Sequence, residues 1–185
     1  MLSALWLPIL LSAVFVFIAS ALINMLLKFW HAPDYGQFAN EDEVRAAIGR
    51  GNPAAPGQYA VPWCTPEKLK DPAMQEKFRQ GPVAMVMLRR PGKMGMGVPL
   101  LQWFLFCLLV SLFCAFIAFA LPGGADPHIV FHTTALAALM GYSFGCFTDA
   151  IWRSFPWKAA FKYIVDGIIY AIITGFTFVW LWPAA

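Results

Sequence analysis

Residues 127–183 read PHIVFHTTALAALMGYSFGCFTDAIWRSFPWKAAFKYIVDGIIYAIITGFTFVWLWP, two long apolar stretches joined by the short turn Arg153-Ser154-Phe155-Pro156. Each stretch carries an acid and a base four residues apart, Asp149 with Arg153 and Lys162 with Asp166. A helix sets such pairs on one face. An ionisable side chain inside a membrane segment is costly unless it faces protein or water, so these residues mark an internal brace or a site. The stretch therefore predicts a hairpin of two membrane helices with a polar interior, and the fold class follows from it: all-α, integral to a membrane.

The rest of the chain agrees. Of its 185 residues 60% are hydrophobic and only 12% are charged, about half the charge of an ordinary soluble domain. Four apolar runs reach the ~20 residues that cross a bilayer, roughly Leu2–Leu27, Val98–Leu121, Ile129–Ile151 and Ala159–Trp182. The expected organisation is a first transmembrane helix over 2–30, a connection over 31–97, and transmembrane helices two to four over 98–185. The first run lacks a basic n-region and exceeds the usual length of a signal core, so it is expected to be a retained helix. Pro8 stands in its first turns, where a helix tolerates proline.

Charge placement gives an orientation. All 13 Lys and Arg lie within Lys28–Lys93 or Arg153–Lys162. Basic residues collect in cytoplasmic loops near membrane ends, and aromatic belts mark both interfaces. Trp30, Trp103, Trp152 and Trp157 fit an inner belt, with Trp6, Trp180 and Trp182 at the outer one. The connection is thus expected in the cytoplasm with the Arg153–Pro156 turn beside it, and both termini outside. A net charge of +3 is too small to point to nucleic acid.

Within the connection, Asn40-Glu41-Asp42-Glu43 predicts a capping box opening a helix Glu41–Ile48, closed by Gly49 and Gly51. Thr65-Pro66 and Asp71-Pro72 each look like a cap followed by proline at the first helical position. Val83–Leu88 reads as a strand, with Gln58–Val61 as its partner in a small β-hairpin. Cys64 precedes a predicted helix start but has no second cysteine at redox or zinc spacing. Gly92-Lys93-Met94-Gly95-Met96-Gly97 lacks the ending of a phosphate loop. It reads as a flexible entry to the second membrane helix.

The membrane segments supply the candidate site. Asn24, Gln102, Asp149 and Asp166 are expected at one depth, each from a different helix, and to converge with Tyr142, Tyr163 and Tyr170 on one polar cluster. Arg153 and Lys162 would hold the two acids ionised from one turn away. In the fourth helix Lys162, Tyr163, Asp166, Tyr170, Thr174 and Thr177 form one stripe, which should turn inward because lipid cannot satisfy it. His128 and His132 share a helical face, the geometry of a metal pair. They sit at a wet helix start without a third histidine, so no metal or other cofactor is expected. Cys107 and Cys114 are expected as small hydrophobes, and Gly141 and Gly145 as a close-packing face.

The closing pattern Asp149-Ala150-Ile151-Trp152, Pro156-Trp157, Asp166-Gly167-Ile168-Ile169-Tyr170, Thr174-Gly175-Phe176 and Trp180-Leu181-Trp182-Pro183, with a fainter echo in Gly57-Gln58-Tyr59 and Gly81-Pro82, resembles a group of small, uncharacterised bacterial four-helix inner-membrane proteins. The resemblance implies a bacterial inner membrane, in which the charge placement would set both termini in the periplasm, and it brings no activity with it. The functional expectation is a non-catalytic accessory or assembly subunit of a larger membrane complex, braced near its cytoplasmic side. The alternative is a small oligomeric transporter or proton pathway using Asp149 and Asp166. An enzyme has the least support, since no nucleophile–base set, zinc motif or phosphate loop is present.

Overall fold

The computed structural model describes residues 2–120 and 126–183. Among them four helices are long and apolar enough to cross a membrane: Ser3–Leu26, Gly97–Ala120, Pro127–Trp152 and Trp157–Trp180. Two of the four are irregular. The first is an α-helix, α1 (Leu2–Ala21), that widens into a π-helical stretch over Leu22–Leu26, where Leu27 N reaches back five residues to Leu22 O at 3.3 Å. A single turn, α2 (Lys28–His31), and a 3-10 turn, Ala32–Asp34, follow.

The chain divides into two compact units, and residues Gly36–Met94 form one of them. In this unit α3 (Glu41–Arg50) and α4 (Pro72–Gln80) accompany an antiparallel pair, β1 (Gly57–Val61) and β2 (Ala84–Leu88), with Tyr59 opposite Val86. The expected strand pairing is therefore present, but α4 and a 3-10 turn lie between the two strands, so they do not form a hairpin. Tyr59, Val61, Val86 and Leu88 share a cavity with Ala47 and Ile48 of α3. On the other face Met85 and Met87 are exposed.

Capping in this unit departs from expectation in two places. Asn40 gives its amide to Glu43 Oε2 at 2.9 Å and caps no backbone N–H; the capping box is not made, and α3 runs on through Gly49 to Arg50. Thr65 makes no side-chain cap either, and only a 3-10 turn, Pro66–Lys68, follows it. Asp71 behaves as expected and accepts Ala73 N at 3.0 Å at the start of α4.

The second unit holds the membrane-length helices together with residues up to Tyr35. It thus takes in residues 31–35, which the sequence reading assigned to the connection. After the first helix come α5 (Gly97–Ala120), α6 (Pro127–Ser143), α7 (Gly145–Trp152) and α8 (Trp157–Trp180). Asp126 caps α6 through His128 N at 2.8 Å. The third span loses its regular ladder at Phe144, where Phe147 N bonds Phe144 O, three residues back, at 3.3 Å. Glycine at 145 is a weak helix former at that joint.

Helix α8 packs along α6 and against α1, and α5 packs against α1 and α6. The close α6–α8 approach depends on glycines of α8. A Cβ at Gly167 would lie 1.6 Å from Ser143 Oγ, and one at Gly175 would lie 2.8 Å from the Phe131 ring. On the expected face of the third helix, Gly141 does meet Val110 of α5, but a Cβ at Gly145 would meet nothing. One core joins Leu5, Ile9, Val110, Cys114, Val130, Ala138 and Phe178, and a second joins Ala13, Val16, Ile23, Cys107 and Tyr170. Both cysteines are fully buried, as small hydrophobes should be. The outward surfaces of the helices are apolar too, with Leu101, Leu105, Phe113 and Phe116 exposed along α5. That outward face suits lipid, which offers no reason to hide it.

Candidate functional site: a polar latch and the chamber beside it

The residues after the first helix carry the bundle's polar centre. The widened stretch and the α2 turn swing Trp30, His31 and Asp34 onto α8. Trp30 donates its indole N–H to Asp166 Oδ1 at 2.9 Å, and His31 Nε2 lies 2.7 Å from Asp166 Oδ2. The other ring nitrogen, Nδ1, lies 3.1 Å from Asp34 Oδ2. Lys162 donates to Asp34 Oδ1 and to the Trp30 carbonyl, and its ammonium stands 5.6 Å from the centre of the Trp30 ring. Asp166 is 3% exposed, so its charge depends on these partners.

The hydrogen-bond inventory limits the protons in this latch. A neutral imidazole has one N–H, and ionised carboxylates only accept. His31 faces a carboxylate from each nitrogen, so making both contacts as hydrogen bonds takes two protons shared among Asp34, His31 and Asp166. With both on the imidazole, the charges of Asp34, Asp166, His31 and Lys162 balance. Asp34, beyond the end of the first span, is held below the usual carboxylate range, first by the Lys162 hydrogen bond and then by His31, against the opposing effect of burial.

A chamber of about 670 Å³ adjoins the latch. Its wall includes Asn24 and Met25 from the widened stretch, Gly145 and Cys146 from the broken third span, and both Asp149 and Asp166. Irregular backbone at membrane depth is tolerated where it is buried in protein or lines a cavity, and π-helical insertions recur at functional sites. Both of this bundle's irregular spans meet the same cavity. Tyr142, Tyr163 and Tyr170 also line it, with Tyr142 and Tyr170 rings 5.5 Å apart. Trp103 gives its N–H to Ser20 Oγ at 2.7 Å, and Asn24 gives its amide to Ser20 O at 2.9 Å.

The predicted site residues are thus brought together only in part. Asn24, Tyr142, Asp149, Tyr163, Asp166 and Tyr170 converge on the chamber. Asp149 keeps Arg153 at 2.7 Å, with both side chains more than two-fifths exposed. Gln102 is exposed and outside the wall, so the four-helix convergence is not met: helix two contributes Trp103 to the wall instead, one position round. The pairing of Lys162 with Asp166 is also corrected. Lys162 reaches Asp34, and Asp166 is served by His31 and Trp30.

The inward stripe of α8 is present in part: Asp166, Tyr170, Thr174 and Thr177 are buried and Lys162 is half-buried, whereas Tyr163 is exposed. Its two threonines bond back to carbonyls of their own helix, Thr174 to Tyr170 O at 2.8 Å and Thr177 to Ile173 O at 2.7 Å. His128 and His132 are exposed, and no group of three His, Cys, Asp or Glu that could hold a metal occurs among the described residues. Trp30, His31 and Asp34 escaped the sequence reading because they follow the apolar run. The available signal was His31 and Asp34 at helical i,i+3 spacing directly after an interfacial tryptophan. No protein-family model, curated protein or solved structure matches this chain.

Proposed function

We propose that this chain is a small oligomeric transporter or proton pathway of the bacterial inner membrane, with the chamber as its working site and both termini periplasmic. The observation that supports this reading is the meeting of two intramembrane acids, Asp149 and Asp166, with both irregular spans at one cavity. Intramembrane carboxylates with a histidine between them are the parts of proton relays in pumps and transporters. The latch offers a chain of that kind, Asp34 to His31 to Asp166, ending at the chamber wall.

The test is flux. The full chain is reconstituted into liposomes holding a pH-sensitive dye, and a pH gradient is imposed. Flux above that of protein-free liposomes, lost in a normally folded Asp149→Asn protein, is the expected result. Folded protein without flux overturns the reading. Orientation is checked separately by phosphatase and fluorescent-protein fusions after Ala185, where a fluorescent, phosphatase-negative fusion rejects periplasmic termini.

A second reading, the accessory or assembly subunit of a larger complex, is favoured by another observation. Every oxygen of Asp166 is already taken by a donor, which is what a fixed brace requires, and the exposed Met85–Met87 face of the strand pair offers a docking surface. Purification from native membranes in mild detergent separates the two: a co-purifying large complex supports this second reading, and a homo-oligomer supports the first.

A further inference from the structure

The chamber wall is one-sided in its chemistry. Rings of Trp103, Phe106, Tyr142, Tyr163 and Tyr170 line it together with Asp149 and Asp166, and among the described residues no lysine, arginine or histidine is part of the wall. Its strong N–H donors are spent internally. The Trp103 indole is bound to Ser20 Oγ, and the Asn24 amide to Ser20 O.

What remains to face a guest is electron-rich. Asp149 Oδ1 takes Arg153, while no hydrogen bond to Asp149 Oδ2 is formed among the described residues. Asp166 has both its carboxylate oxygens engaged by Trp30 and His31, so Asp149 is the acid left to face a guest. The Asn24 carbonyl oxygen is an acceptor, and aromatic faces attract positive charge through their quadrupoles. An anion meets carboxylates here.

We propose that the chamber binds an organic cation, a molecule apolar over most of its surface and carrying one positive charge of the ammonium or phosphonium kind. The rings receive its apolar groups and its charge, and Asp149 is the counter-ion. The volume, about 670 Å³, lies in the range of small-molecule sites. This names a substrate class for the transporter reading and rests on it only for the word substrate; the binding claim stands on the wall itself.

The test uses the full chain in nanodiscs, with empty nanodiscs as the blank, titrated with tetraphenylphosphonium and with tetraphenylborate. The two ions share a shape and differ in sign. Saturable binding of the cation at least tenfold tighter than of the anion is expected. Asp149→Asn should weaken the cation about tenfold and leave the anion unchanged, while Gln102→Ala, outside the wall, should change neither.

Equal binding of both ions, or no saturable signal above the blank, overturns the proposal. If Asp149→Asn does not fold, the comparison of the two ions on the unaltered protein still decides. Saturable cation binding without flux in liposomes upholds this inference and removes the transporter reading. Flux with no cation binding does the reverse.

Discussion

His31 Nε2 stands 2.7 Å from Asp166 Oδ2, joining residues 135 apart in the chain at the buried end of the latch. The base that holds Asp166 is therefore on another helix, and the consequences for mutation differ from those of a pair within α8. A carboxylate this buried relies on its donors, and removing one member of a buried pair typically costs about 3–5 kcal/mol because the charge left behind is poorly solvated.

Asp166→Asn is expected to lower stability by about 2–3 kcal/mol, below that range because asparagine still accepts from Trp30. His31→Gln in the same chain should return part of the loss. Lys162→Met should return none, since Lys162 serves Asp34. Thermal unfolding of the three proteins in one detergent checks the order, and rescue by Lys162→Met would place the partner of Asp166 wrongly.

Acid should loosen the latch from its Asp34 end. The folded-state pKa of Asp34 is lowered, chiefly by Lys162. A lowered carboxylate contributes stability that is present above its unfolded value and is lost as pH falls through the folded one, so this contribution fades below about pH 4. With Lys162→Met the main cause of the lowering is gone, so the folded and unfolded values draw together and the share of the acid loss that comes from Asp34 should shrink. Unfolding temperature against pH for both proteins tests this; coincident acid limbs would count against the Asp34–Lys162 contact.

Gly167→Ala places a methyl group where Ser143 Oγ already stands, at 1.6 Å. Overpacking of this kind costs about 1–3 kcal/mol. Ser143→Ala alone should be neutral or slightly stabilising, because that hydroxyl is buried without a hydrogen-bond partner and such a group is a net cost. Combined with Gly167→Ala it should recover part of the loss, as Oγ is removed while Ser143 Cβ remains at 3.0 Å. A double-mutant cycle on unfolding temperature reads the coupling, and strictly additive effects would contradict the α6–α8 approach described.

In the unit Gly36–Met94 the two cap positions should behave differently. Asp71→Ala removes an N-cap bond to Ala73 N and should cost about 1 kcal/mol of local stability. Asn40→Ala should cost a few tenths at most, since its side chain holds only the exposed Glu43 carboxylate. Hydrogen exchange across α3 and α4 distinguishes them: faster exchange in α4 for the first, with little change in α3 for the second.

Much of this fold was legible from composition and spacing, and the boundary of that legibility has a physical cause. Twenty-residue apolar runs leave the backbone few choices in lipid, so four membrane-length helices follow from sequence, and so does the inward turn of Asp166, Tyr170, Thr174 and Thr177. The Asp71 cap was readable because it depends on residues close together in the chain, and the two strands because each is a short apolar run bounded by turn residues. Spacing within one helix also pointed to Asp149 with Arg153, which is the observed pair.

The same logic misassigned Lys162, whose four-residue distance from Asp166 is real but whose side chain finds Asp34 across the bundle. Only the tertiary structure decided that His31 and Trp30 serve Asp166, that Gln102 stays outside while Trp103 enters, and that the glycines of α8 set the approach to α6. It also placed the two irregular spans on one cavity. Sequence spacing determines which side chains share a face of one helix. Which face of the next helix they meet depends on helix rotation and on where the backbone widens or breaks, and those are set by packing between segments more than a hundred residues apart.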